Sequence, residues 1–305
     1  MPKSKSSTDS LNVFSYAFFK SLGEAEKPNV QPVQIPSVVR PEIRVAKKQT
    51  KQPFVSFLVF DVEATCVQGA NFDYCHEIIE WPVVLLRWKH RTEDGRASEL
   101  EVVDEFRTFV RPTFRPVLSA FCTSLTGIAQ SDVDTAPTFV EMLPQFKTWM
   151  VKHGLICPDT EKRLQRFTWC TDGPFDIRDF VVKQCFISNI PIPEWLRSDV
   201  TDVRQLVTLW LQNRDSATKV EQPSYRTHRS HKRPSLNLTS QLKALSLAPF
   251  EGRQHSGIDD TRNIARIVTE LARRGVRLEP NLYINPGRRW NWMGSRRGEV
   301  LEDFL

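Results

Sequence analysis

The stretch from Val55 to Thr65 constrains the fold more than any other part of this 305-residue chain. It begins as a run of apolar, β-favouring residues and ends in two acids, Asp61 and Glu63. Because both sides are apolar up to Asp61, the run predicts a central strand covered on both faces. Alternation along that strand places both carboxylates on the same side as Phe57 and Val59. Two carboxylates at a strand end form a candidate site for a hard divalent cation such as Mg²⁺ or Mn²⁺.

The composition is that of a globular protein with a polyanionic partner. The net charge is +6 and the pI is near 9.0, which favours a partner such as a nucleic acid. Six scattered cysteines, without CxxC pairs, argue against a disulfide framework or a zinc site. No stretch approaches the ~20 apolar residues that span a bilayer, and no secretory signal is evident. We therefore expect an intracellular protein, in the nucleus, the cytoplasm or both, with no membrane partner.

The order of periodic segments predicts an α/β fold with a mixed central sheet. Strands predicted at 78–88 and 102–110 follow the lead strand as an antiparallel meander, with a polar hairpin at 89–98. Pro82 predicts a bulge or a break in the ladder of the second strand. The remaining predicted elements are a helix at 139–150, whose aromatic and Met stripe is assigned to the core, a strand at 167–170, and helices at 175–185, 203–211, 238–247 and 259–273.

Segments of different composition flank and interrupt the domain expected at 53–278. Residues 1–52 predict a flexible basic arm. Its residues Leu11, Phe14, Phe18 and Leu22 recur at helical spacing, which leaves open a helix that docks on the body, a partner-binding helix or a mitochondrial presequence. Residues 214–234 predict a basic insertion loop, and residues 279–305 predict a basic and aromatic tail. For both, RNA contact and an ordinary solvated loop stay open.

Further acids repeat the chemistry of the lead strand. Asp176 lies in the first turn of the helix that follows strand 167–170, and Asp260 opens the last helix, five residues after His255. In an α/β sheet, such positions converge on one cleft. Carboxylates crowded there repel each other unless cations neutralise them, which predicts a two-metal phosphoryl-transfer site with the metals about 4 Å apart. A histidine with an ordinary pKa of about 6.5 suits the role of general base.

The five residues and the blocks around them resemble a known family. Asp61-x-Glu63, Asp176 and His255-x-x-x-x-Asp260 match the pattern of the DEDDh 3′→5′ exonucleases, which include RNase T and the proofreading subunits of DNA polymerases. The blocks FDVEATC, HEIIEWPVVLL, FCTSLTGI, TDGPFDIRDF and HSGIDDTRNIARI are similar to the enhancer-of-RNAi and histone-mRNA 3′-exonuclease branch. The resemblance covers roughly residues 53–275, in the order of the family.

This resemblance implies an RNase H-like exonuclease fold and a 3′→5′ exoribonuclease. Such an enzyme releases nucleoside 5′-monophosphates from RNA 3′ ends that are single-stranded or carry short overhangs. It implies two Mg²⁺ ions per site, with Mn²⁺ as a substitute. By matched position, the metal ligands would be Asp61, Glu63, Asp176 and Asp260, and His255 would be the base. The family spacing excludes Asp259 from this set, and the role of Asp172 stays open.

The resemblance also implies a set of substrate contacts. Ala64 and Thr65, which follow the metal-binding pair, would meet the terminal 3′-OH. Phe175 would line the pocket for the terminal base, and Leu125 with Thr126 would wedge against that base. The expected roles are small-RNA turnover or the 3′ trimming of rRNA or histone mRNA, and silencing or ribosome-processing proteins are candidate partners.

Two alternatives stay open on the sequence alone. The chain could degrade DNA 3′ ends, or it could be a catalytically silent RNA-binding scaffold in a silencing complex. The complete set of five residues argues against the scaffold, because RNA binding alone would not need His255. Magnesium-dependent release of mononucleotides separates the enzyme from the scaffold, and matched RNA and DNA oligomers separate the two enzymes.

Overall fold

A mixed sheet organises the described part of the chain, which comprises residues 49–70, 72–197, 200–217 and 236–304 of a computed structural model. Its strands lie in the order β6-β4-β2-β7-β8, and β3 continues the line of β2 beside β4. β2 is antiparallel to β4 and parallel to β7, so the predicted mixed sheet is confirmed. The strands are β1 Thr50–Lys51, β2 Ser56–Phe60, β3 Glu63–Ala64, β4 Ile78–Trp88, β5 Arg96–Ala97, β6 Leu100–Phe109, β7 Phe167–Thr171 and β8 Val200–Asp202; β1 and β5 form a separate pair.

β2 is the central strand that the sequence predicts, buried along its whole length. Phe57 and Val59 pack into one hydrophobic cluster, and Leu58, Phe60 and Val62 pack into the cluster on the opposite face. The alternation of the apolar run is therefore confirmed. A strand covered on both faces delivers Asp61 to the sheet edge with little freedom, since the residues before it are held in two cores.

The ladder between β2 and β4 is interrupted at Pro82. Phe60 pairs with Val83 and Glu63 pairs with Glu80, but the two residues between them make no strand pairing. Because proline has no N–H to donate, Pro82 itself leaves no unpaired donor at the break. The predicted interruption is confirmed, and it frees the backbone of Asp61 and Val62 for other contacts.

Helices cover both faces of the sheet. The α-helices of the described residues are α1 Ala120–Thr126, α2 Gln130–Asp134, α3 Phe139–Lys152, α4 Val182–Ile187, α5 Val203–Ala217, α6 Leu238–Ala244 and α7 Gly257–Arg273. α3, α4 and the π-helical segment Asp176–Val181 pack on one face, and α5, α6 and α7 pack on the other. The Met and aromatic stripe of α3 is buried, as predicted. Sequence reasoning missed α1, α2 and β8, and it assigned a single helix to the region of the π-helical segment and α4.

The segment after α7 packs on the domain. Ile284, Trp290, Trp292 and Met293 are buried in the larger hydrophobic cluster, and the indole N–H of Trp292 donates to Asp73 O at 2.5 Å. The predicted boundary at residue 278 stays a prediction. The predicted N-terminal arm up to residue 48, and nearly all of the predicted insertion loop, lie outside the described residues. Among the helices described, none has the length and apolar character to cross a membrane.

Candidate active site

Three carboxylates meet at the end of the central strand. Asp61 follows β2, Glu63 opens β3 and Asp260 lies in the first turn of α7. One carboxylate oxygen from each lies within 4.8 Å of the others. Oxygen ligands at this spacing suit a hard divalent cation such as Mg²⁺ or Mn²⁺. Residues about 200 positions apart in sequence are thus brought together, as the sequence predicts.

Burial and mutual repulsion raise the pKa values of these acids. The pKa of Asp61 lies well above its ordinary value, first because of burial and then because of the charges of Asp176, Asp260 and Glu63. Burial also raises the pKa of Glu63, and the charges of Asp260 and Glu80 raise it further. The pKa of Asp260 rises to about 7, again chiefly through burial. Acids in this condition are stabilised by a bound cation, so the donor set fits a metal site.

Asp176 lies near the cluster, close enough for its charge to act on Asp61. It is the first residue of the π-helical segment, is buried, and accepts a hydrogen bond from Val62 N at 3.0 Å through Oδ1. The broken ladder beside Pro82 leaves this N–H available. Asp176 is not in the group of three, although its charge is the strongest of those that raise the pKa of Asp61. Burial raises the pKa of Asp176 itself to about 7.

His255 lies in the loop that leads into α7. Its φ is 61°, in the left-handed region, and its backbone N–H donates to the Asp260 carboxylate. Burial lowers the pKa of its imidazole, and the charge of Arg253 lowers it further. The guanidinium of Arg253 donates to His255 O at 3.2 Å and to Ser124 O at 2.8 Å. The backbone of His255 is therefore held beside a metal-ligand candidate, and its lowered pKa favours the neutral imidazole.

Asp259 supports the same loop. Its Oδ2 accepts a hydrogen bond from Arg253 N at 3.0 Å, and its carboxyl group lies against Gly252. A Cβ on Gly252, whose φ is +89°, would come within 2.4 Å of that carboxyl carbon. The prediction that Asp260 is the ligand and Asp259 is not agrees with this geometry, because Asp259 is outside the three-carboxylate group.

The residues expected to contact the substrate differ in burial and in the hydrogen bonds that their side chains already make. Ala64 and Thr65 are buried just after Glu63; Thr65 Oγ1 accepts from Glu77 N at 2.9 Å. Thr126 is 3% exposed, and its hydroxyl donates to Cys122 O at 2.9 Å. This hydrogen bond lies within α1. Leu125 is half-buried on the same helix, which Arg253 ties to the His255 loop. Their contacts with a substrate stay predictions.

Phe175, expected at the base pocket, stacks on a second aromatic ring. Its centroid lies 4.4 Å from that of Phe72, with 14° between the planes, and the Arg178 guanidinium lies 5.3 Å from the Phe175 ring centroid. Phe175 is half-buried and immediately precedes Asp176. The ring is thus held by Phe72 and Arg178 next to the position of a metal-ligand candidate, and its contact with a base stays a prediction.

Two further acids near the site carry roles that sequence reasoning did not assign. Glu80, on β4, is 1% exposed and is the Cα partner of Glu63. The role of Asp172 was left open by the sequence. Its carboxylate accepts hydrogen bonds from Nε and Nη2 of Arg204, at 3.2 and 2.7 Å, and from Nε2 of Gln241 at 2.6 Å. In the sequence, the feature that could have identified Glu80 is a carboxylate inside the apolar run of β4. For Asp172, the partners are distant in sequence, so no local pattern reveals them.

Comparison with known proteins agrees with this geometry. The RNase_T exonuclease family model matches residues 58–268. The chain is 31% identical over 253 residues to the 3′-5′ exonuclease eri1 of Schizosaccharomyces pombe, covering 78% of this chain and 75% of that protein. It is 33% identical over 229 residues to the human 3′-5′ exoribonuclease 1, covering 75% of this chain and 56% of that protein.

Solved structures give the same result. The chain superposes with a TM-score of 0.60 and 31% identity on the nuclease domain of 3′hExo, a DEDDh family member, bound to rAMP, covering 77% of this chain and all of that one. It superposes with a TM-score of 0.61 and 30% identity on a structure described as 3′-end specific recognition of histone mRNA stem-loop by 3′-exonuclease, covering 78% and 70%. The chain belongs to the RNase_T exonuclease family, within the branch of the 3′-5′ exoribonuclease 1 proteins.

Proposed function

We propose that this protein is a 3′→5′ exoribonuclease that hydrolyses RNA 3′ ends to nucleoside 5′-monophosphates with two Mg²⁺ ions per site. The observation that carries the proposal is the meeting of Asp61, Glu63 and Asp260 within 4.8 Å, with Asp176 adjoining Asp61. The names of the relatives, which are exoribonucleases, support RNA as the substrate. Mn²⁺ fits the same oxygen ligands.

The side chains have separate roles in the proposed reaction. Asp61, Glu63, Asp176 and Asp260 hold the cations, which supply Lewis-acid activation of water and stabilise charge on the departing oxygen when bound. His255 accepts the proton of the attacking water, and its lowered pKa keeps the imidazole neutral for that step. Phe175 and Leu125 contact the terminal base, while Ala64 and Thr65 meet the terminal ribose.

The substrate follows from the relatives by analogy. One structural neighbour is described as recognising the 3′ end of a histone mRNA stem-loop, which supports short 3′ overhangs next to a duplex as a substrate of this chain. Small-RNA turnover and the 3′ trimming of rRNA or histone mRNA are roles of this kind. Association with silencing or ribosome-processing proteins stays a prediction from sequence.

The test is mononucleotide release from uniformly labelled single-stranded RNA in the presence of Mg²⁺. The His255→Ala variant should lose activity by about 10²- to 10⁴-fold, the usual contribution of a general base, and Asp61→Asn should be inactive. His90→Ala, which changes an exposed histidine between β4 and β5, is the matched control and should keep the wild-type rate.

Three results would contradict the proposal. Wild-type rates in His255→Ala would remove the proposed base. Faster hydrolysis of a matched DNA oligomer than of the RNA would favour a DNA exonuclease. Binding of RNA without Mg²⁺-dependent release of nucleotides by the wild-type protein would favour a scaffold.

A further inference from the structure

The carboxylate of Glu80 touches the start of the helix that carries Asp260. Glu80 lies on β4, and its Oε2 accepts a hydrogen bond from Gly257 N, the first residue of α7, at 3.0 Å. Its Oε1 accepts from Arg107 Nε, on β6, at 2.7 Å. The side chain is buried, 1% exposed. Both carboxylate oxygens are therefore bonded to donors from other elements.

This contact caps α7 from outside the helix. The first N–H groups of a helix have no partner within it and are usually capped by the side chain of the residue just before. Ser256 occupies that position, and its side chain makes no capping hydrogen bond. The Glu80 carboxylate takes its place on Gly257 N, and its negative charge lies at the positive end of the helix dipole.

Gly257 makes the close approach possible. A Cβ at this position would lie 2.9 Å from Asp61 O, 3.0 Å from Glu80 Oε2 and 3.1 Å from Pro82 Cγ. Contacts below about 3.4 Å would push the helix away from the sheet. The first turn of α7 thus packs directly on the break in the ladder, where Asp61 has no strand partner.

Arg107 holds the cap in position. A buried carboxylate without a charged partner is unfavourable, and Glu80 lies close enough to Glu63 and Asp260 to raise both of their pKa values. The Arg107 guanidinium is about half exposed and compensates part of this charge. The hydrogen bond from this partner on the edge strand keeps the Glu80 carboxylate pointed at α7.

We infer that Glu80 is a positioning residue that sets the geometry of His255 and Asp260 through Gly257. His255 precedes Gly257 by two residues, Asp260 follows it by three, and the His255 N–H donates to the Asp260 carboxylate. Fixing Gly257 against β4 therefore fixes both groups relative to Asp61 and Glu63. This inference rests on the roles proposed above for His255 and Asp260.

The first test uses the Glu80→Gln variant of the full chain without metal. Loss of the charge-assisted bond should move the amide proton resonance of Gly257 upfield in a two-dimensional ¹H–¹⁵N spectrum. The resonances of His255 should move as well, since its loop leads into Gly257. Glu77→Gln is the control, because Glu77 is an equally buried acid on the neighbouring loop whose carboxylate bonds the backbone of residues 113–115. An unmoved Gly257 resonance in Glu80→Gln overturns the inference.

The second test is steady-state hydrolysis of RNA at saturating Mg²⁺. Glu80→Gln should lower kcat by about 10- to 100-fold, as is typical for residues that orient metal ligands, with little change in KM. Glu105→Gln is the matched control. Glu105 lies on β6 and also links the sheet to α7, since its carboxylate accepts a hydrogen bond from Arg262 at 2.6 Å, away from the helix start. This variant should keep the wild-type kcat.

Arg107 separates positioning from charge. Arg107→Met leaves the Glu80 carboxyl group in place but removes its hydrogen-bond donor on β6, so positioning predicts a fall in kcat in both variants, and Arg107→Lys should restore part of it. Opposite changes in kcat for Glu80→Gln and Arg107→Met would show an effect of charge alone and overturn the inference. The resonance of Gly257 is measured without substrate, so it tests the contact even if the nuclease proposal fails.

Discussion

Arg253 affects His255 in two ways, through its charge and through hydrogen bonds. Its charge lowers the pKa of the imidazole, after the larger effect of burial. The proposed general base would work only when unprotonated, so activity should be lost as the pH falls through the pKa of His255. Removing the charge in Arg253→Gln should therefore raise the pKa of His255. The acid limb of the profile of kcat/KM against pH should move to higher pH, measured at saturating Mg²⁺.

The control for this prediction is Arg253→Lys. Lysine keeps the positive charge but loses the fork that donates to His255 O and Ser124 O. The acid limb should stay in place in this variant, although the rate falls if the loop loosens. Equal displacement of the limb in both variants would show that loop geometry, and not charge, sets the pKa of His255.

At the residue scale, the sequence predicts the groups proposed to do the chemistry better than the groups that hold them. Asp61 and Glu63 follow a strand whose alternation is clear in the sequence. Asp260 is identified by the family spacing from His255. Glu80 and Arg253 act through partners 177 and 129 positions away. No local pattern encodes such pairs, so only the folded chain shows that these residues support the site.

At the element scale, the close packing of α7 on the sheet depends on the absence of a side chain at Gly257. In Gly257→Ala, the new methyl group would meet the backbone oxygen of Asp61 at 2.9 Å, and backbone cannot move aside as a side chain can. We expect a loss of about 1–3 kcal/mol in the free energy of unfolding, as for overpacked cores. A displaced His255 and Asp260 should also reduce kcat, on the order of 10²-fold.

Urea denaturation and kcat measured on the same preparation check this prediction. Gly287→Ala is the control, since a Cβ there meets only Asn285 Oδ1, at 3.4 Å. A Gly257→Ala protein with wild-type stability and rate would mean that α7 can shift on the sheet without disturbing the acids.

The long, periodic elements were predictable, and the short ones were not. β4 spans Ile78–Trp88, the same bounds that its apolar run predicts, and α3 is a buried stripe of aromatic and Met side chains. α1 and α2 have seven and five residues, too few for a helical period to show. The π-helical turn at Asp176 depends on tertiary contacts, which include the hydrogen bond from Val62, and no spacing rule predicts it.

At the scale of the whole molecule, the fold buries acids that repel each other. The packed faces of the sheet bring Asp61, Glu63, Asp176 and Asp260 together at one edge, where Glu63 and Asp176 are buried and Asp61 and Asp260 are half-buried, and their pKa values rise in consequence. The hydrophobic clusters on both faces supply the free energy that offsets this repulsion. Burial makes the mutual repulsion of the ionised acids unfavourable in the metal-free protein. The same burial favours binding of a divalent cation, which neutralises them.

This balance predicts how stability depends on pH in the metal-free protein. The pKa values of Asp176 and Asp260 are about 7 in the folded chain, against about 3.9 when unfolded. Between these values the folded state binds more protons than the unfolded state, so the contribution of these acids to the free energy of unfolding falls as the pH rises from about 4 to about 7. Saturating Mg²⁺, which binds the ionised acids, should reverse this trend.

Urea denaturation in EDTA at pH 5 and pH 8 measures the effect, and repetition with Mg²⁺ measures its reversal. Other groups titrate in the same window, so the decisive quantity is the difference between wild type and Asp260→Asn. Asparagine has no proton to release and removes one of the repelling charges. The metal-free variant should therefore lose less stability than wild type between pH 5 and pH 8, and it should gain less from Mg²⁺. Equal losses in the two proteins would mean that Asp260 is not held protonated by burial and by its neighbours.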